Sequence, residues 1–85
     1  MNPDAKRGQE AMKLNRTETK AMWTMEKHGF TFAGDSIFNS VSAGKRVLTH
    51  LVNLGMVEVK SELPGFLPEF RLSAQGAEFL KYVSR

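Results

Sequence analysis

The chain has 85 residues, with 41% hydrophobic residues, 25% charged residues and a net charge of +3, values of an ordinary globular protein and unlike disordered, collagen-like or membrane compositions. That length is one small module, with little room for a separate sensing domain or a multi-domain enzyme. The absence of cysteine excludes disulfides, a thiolate nucleophile and cysteine-based metal sites, and with no apolar run of about 18 residues and no N-terminal signal core the chain reads as cytoplasmic.

In chain order, residues 4–14 carry helix-favouring types, with Pro3 acceptable near the first turn and Gly8 opposed, which predicts a short helical extension over 1–14 ahead of a domain over 15–85. Residues 15–28 predict a firmer helix. Asn15 and Thr17 are candidate caps, Ala21, Met22, Trp23 and Met25 form a broad apolar face, and Gly29 stops it. The alternating Phe30-Thr31-Phe32 reads as an extended connector or minimal strand. Residues 33–38 then suit one or two helical turns with Ile37 and Phe38 buried.

A second strong helix is expected over about 40–54, capped by Ser40 or Ser42, with Val47, Leu48, Leu51 and Leu54 spaced three or four apart. Gly44 in its interior weakens it by about 1 kcal/mol relative to Ala. Residues 56–60 read as a strand with Val57 and Val59 pointing one way, followed by a Pro/Gly loop to Pro68 and a partner strand over 69–72. Ser73 is the expected N-cap of a last helix that turns Ala77 and Leu80 inward, with Phe79, Tyr82 and Val83 as further candidates. The result is a mainly α protein with a small β-hairpin, of α+β class, in the order α-α-α-α-β-β-α.

Two short helices followed by a hairpin that feeds a helix is the order of a winged helix-turn-helix module. The string LVNLGMVEVK resembles the end of the recognition helix and first wing strand of MarR-type, PadR-type and ArsR-type transcriptional regulators, through Leu51, Gly55, Met56 and Val57. FRLSAQGAEFL is similar to their second wing strand and following helix, through Phe70, Leu72, Ser73 and Gly76. LNRTETKAMWTMEKHG is similar to a MarR-type first helix. The resemblance implies sequence-specific binding of double-stranded DNA by a small regulator, with a homodimer using its terminal helices to double the readout.

On that reading the helix over 40–54 enters the major groove and turns Ser42, Lys45, Arg46, Thr49 and Asn53 outward. Lys45 and Arg46 suit guanine acceptors or phosphates, Asn53 suits adenine, and Ser42 and Thr49 suit phosphates or base edges. A solvated helix face accounts for the same residue types. Residues 1–46 hold eight basic and five acidic side chains against four and four afterwards, a balance compatible with nucleic acid that does not establish it.

In the hairpin only Lys60 and Arg71 are available for DNA, and the tip over 63–68 is apolar. Leu63, Phe66 and Leu67 there motivate an alternative, a winged-helix protein-interaction module without DNA binding. Two distant histidines and scattered carboxylates give no catalytic or phosphate-binding motif, so neither an enzyme nor a cofactor or metal is expected.

Overall fold

A computed structural model describes residues 14–83. In chain order these form α1 (Arg16–His28), β1 (Thr31–Phe32), α2 (Val41–Asn53), β2 (Val57–Ser61), β3 (Glu69–Leu72) and α3 (Ala74–Leu80). Three helices thus accompany an antiparallel sheet of strand order β1-β3-β2 among the described residues, an α+β architecture.

Each boundary has a local cause. Asn15 caps α1 through a reciprocal box: its side chain accepts from the Glu18 N–H at 2.8 Å, while the Asn15 N–H donates to the Glu18 carboxylate at 3.0 Å, satisfying two helix-end donors that would otherwise be orphaned. The helix ends where the Gly29 N–H donates to the Met25 carbonyl. Of the two serines open as caps for α2, Ser40 takes the role, accepting from the Ala43 N–H at 3.0 Å. Ser73 caps α3 by accepting from the Gly76 N–H.

The structure departs from two expectations. Residues 33–38 form no helix; the Asp35 N–H bonds the Phe32 carbonyl and the Phe38 N–H bonds the Asp35 carbonyl, giving two successive turns. Asp35 is the cause, because its carboxylate accepts from the Thr31 hydroxyl at 2.8 Å and from the Ile37 N–H at 3.2 Å, a local bonding pattern that competes with helix. The described order is therefore α-β-α-β-β-α, and the helix expected over 4–14 falls outside the described residues except for Leu14, which is in no helix. The last helix stops at Leu80, with Gly76 and Leu80 buried and Ala77 exposed, and Tyr82, expected to face inward, lies exposed in the turn beyond it.

The core is built from Ala21, Met22 and Met25 of α1, Leu48 and Leu51 of α2, Met56, Val57 and Leu80, with Ala33 and Phe38 from the turn segment. Burying each of the larger side chains contributes about 1.5–3 kcal/mol relative to leaving it in water. The sheet register sets Thr31 and Val59 on either side of Phe70 and Glu58 opposite Arg71. Thr31, fully buried, faces the helices, so the alternation of side chains along a strand turns Phe32 to the opposite side.

Candidate nucleic-acid interface

The α2 helix presents its polar residues on one exposed side. Leu48 and Leu51 face the core, and on the other side Ser42, Lys45, Arg46, Thr49 and Asn53 are all exposed. The spacing explains this, since 42, 46, 49 and 53 succeed one another by three or four residues and so line one stripe, with Lys45 beside it. No acidic residue occurs in α2, and among the described residues neither Lys45 nor Arg46 forms an ion pair. The face offers one compact ammonium and one planar guanidinium fork among hydroxyl and amide groups, donors able to meet phosphate oxygens and base edges.

Two features that sequence patterning did not reveal hold α2 in place. The first is Gly44, which is buried: a Cβ built there would meet the Ala33 carbonyl oxygen, lie 2.8 Å from the Ala33 Cα and lie 2.9 Å from Phe38 Cδ2. Its missing side chain lets the start of the helix rest on the turn segment, an effect opposite in sign to its poor helix propensity. The second is a contact across 32 residues between His50 Nδ1 and the carboxylate of Glu18, which is buried and also belongs to the α1 capping box. One carboxylate thereby joins the start of α1 to the last turns of α2. A basic residue in a helix's last turn gave the only available hint, and nothing in its spacing identified the partner.

The hairpin is electrostatically different. Arg71 Nε donates to Glu58 at 2.8 Å, and the Lys60 ammonium lies 3.5 Å from Glu69 and 5.5 Å from the centre of the Phe30 ring. Both cations named for DNA contact are exposed, yet each already has an anionic partner on the neighbouring strand. With Glu58, Glu62 and Glu69 against Lys60 and Arg71, this region carries a local excess of one negative charge.

At the tip the Phe66 N–H donates to the Leu63 carbonyl at 3.1 Å, closing a turn with Pro64 and Gly65 at its centre, where Gly65 has φ +83°. Proline presets the first central residue and glycine accepts the left-handed second one, as a type II turn demands. This turn leaves Leu63 61% and Phe66 75% exposed. Leu67, half-buried, packs inward beside the core, and Phe30, Phe32, Leu63, Phe66 and Leu67 surround a cleft of about 490 Å³.

No three acidic or histidine side chains converge as a metal site among the described residues, and no helix there is long and apolar enough to cross a membrane. The chain matches no family model, no curated protein and no solved structure.

Proposed function

We propose that this chain is a winged helix-turn-helix module, similar to the core of MarR-type and PadR-type regulators, that binds double-stranded DNA in sequence-specific fashion through α2. The observation that carries the reading is the exposed, acid-free face of α2, on which Lys45 and Arg46 have no anionic partner among the described residues. A hairpin directly after that helix, with β1 closing the sheet on β3, supports the winged arrangement, while the turns over 33–38 stand where a second short helix is usual. Contact rests on α2, with Lys60 and Arg71 as lesser contributors because Glu69 and Glu58 already neutralise them.

As a regulator the protein acts in the cytoplasm, performs no catalysis and uses no cofactor. Two copies related by a two-fold axis read half-sites about one helical turn apart. Selection from a pool of random duplex DNA at two salt concentrations tests the reading, with enrichment of an inverted repeat and weaker retention at the higher salt expected. Failure to retain any duplex at low salt would remove DNA binding from consideration.

The exposed Leu63 and Phe66 favour a second reading, in which the tip and its cleft take a protein partner in place of DNA. Replacing both with serine is expected to leave DNA retention intact under the first reading. Loss of a protein complex with no DNA binding in either protein supports the second.

A further inference from the structure

An open cavity of about 430 Å³ lies where the start of α1, the turn segment and α2 meet, and its lining includes Glu18, Arg46 and His50. Arg46 and His50 are the only basic side chains that line it, and as residues i and i+4 they sit one turn apart on the same side of α2. One carboxylate thus has two neighbours able to bind it. In the structure His50 holds it, while Arg46 makes no ion pair among the described residues. We propose that His50 is a positioning residue: by occupying Glu18 it keeps the Arg46 guanidinium on the outer face of α2. The competition for Glu18 stands by itself, whereas its effect on affinity rests on the DNA reading of α2.

The Glu18 side chain is only 6% exposed, against 54% for His50. One of its oxygens accepts from the Asn15 N–H at 3.0 Å and the other meets His50 Nδ1. A carboxylate only accepts, so Nδ1 is the nitrogen that donates, whether the ring is neutral or cationic. Replacing His50 by alanine leaves a buried anionic oxygen without its donor, a state costly enough to recruit another. The Thr17 hydroxyl and the Asn39 amide also line the cavity, but both are neutral, whereas a guanidinium adds opposite charge and two parallel bonds to a carboxylate. In that variant Arg46 turns inward and leaves the stripe it shares with Ser42, Thr49 and Asn53. Lys45 does not line the cavity and stays outside.

Urea unfolding reads the competition without DNA. Glu18→Gln and Arg46→Ala are expected to be additive in the wild-type protein and to couple in the His50→Ala background by about tenfold in the folding equilibrium constant, the size of a hydrogen bond to a charged group. Additivity in both backgrounds overturns the proposal. On a random duplex pool, His50→Ala is expected to bind as weakly as Arg46→Ala, with the salt slope reduced by about one unit, and adding Arg46→Ala to it should cost nothing more. Glu18→Gln is expected to restore affinity to the His50→Ala protein, since glutamine still serves the α1 capping box yet attracts no cation.

His50→Asn, which sets an amide N–H where Nδ1 stands, is expected to bind like wild type. A deficit in His50→Asn equal to that of His50→Ala, unrelieved by Glu18→Gln, would mean that the imidazole itself touches DNA and overturns the positioning role. If the wild-type protein retains no duplex, the DNA reading falls, and coupling in the unfolding measurements still supports the competition for Glu18.

Discussion

Replacing Lys45 and Arg46 together by alanine is expected to weaken binding to duplex DNA by about a hundredfold at low salt and to reduce the slope of log affinity against log salt by about two units. Each cation that neutralises a phosphate releases condensed counterions, so the change in slope reports how many phosphates these two side chains neutralise, while the affinity also reports any base contact made by Arg46. Both side chains are exposed and outside the core, so folding should be untouched. A charge-matched control, Lys27→Ala with Lys81→Ala, removes the same formal charge from α1 and from the residue after α3 and should leave the slope unchanged. Equal effects from the two pairs would mean that DNA senses only net charge. An unchanged affinity for Lys45→Ala/Arg46→Ala would remove α2 from the interface.

The largest expected effect on stability comes from a single methyl group at Gly76. Intrinsic helix propensity predicts that Gly76→Ala stabilises α3 by about 1 kcal/mol. Tertiary packing predicts the opposite. A Cβ at this position would run into the Met56 carbonyl, with the carbonyl carbon only 2.8 Å away, and backbone cannot swing aside as a flexible side chain can. The Met56 carbonyl is itself held by the Ser73 N–H at 3.0 Å, so relieving the clash disturbs the hydrogen bond that leads into the Ser73 cap.

Overpacking of this kind costs about 1–3 kcal/mol, and each kcal/mol corresponds to a fall of about 4–8 °C in the thermal midpoint of a domain this small. Thermal and urea unfolding of Gly76→Ala therefore decides between the two by sign. A rise in midpoint would show that α3 does not approach Met56 closely. The same logic makes Gly44 an asset to α2, where residue-by-residue propensity counts it as a weakness.

Both glycines mark the limit of what one-dimensional patterning conveys. The resemblance to winged-helix regulators included Gly76, and helix propensity marked Gly44 as unfavourable, yet neither supplied the reason: each is a place where a helix backbone meets the backbone of a segment far away in sequence. Residues 33–38 show a different failure. Their composition suits a helix, but Asp35 bonds its own neighbourhood and leaves two turns. Lys60 and Arg71 were legible as hairpin cations, while their pairing with Glu69 and Glu58 depends on strand register.

The two long helices, a hairpin with a Pro/Gly loop between its strands and the serine cap at 73 were all legible in the sequence, which left Ser40 and Ser42 both open as the cap of α2. The sequence also determined which residues of α2 face outward. These follow from short-range physics: apolar spacing of three and four, alternation in strands, and side chains that satisfy helix-end amides a few residues away. Only the tertiary structure decided that β1 closes the sheet against β3, that Glu18 reaches His50, and that Gly44 and Gly76 let helices touch backbone. Those contacts join segments distant in sequence, and their energies depend on distances that no local pattern contains.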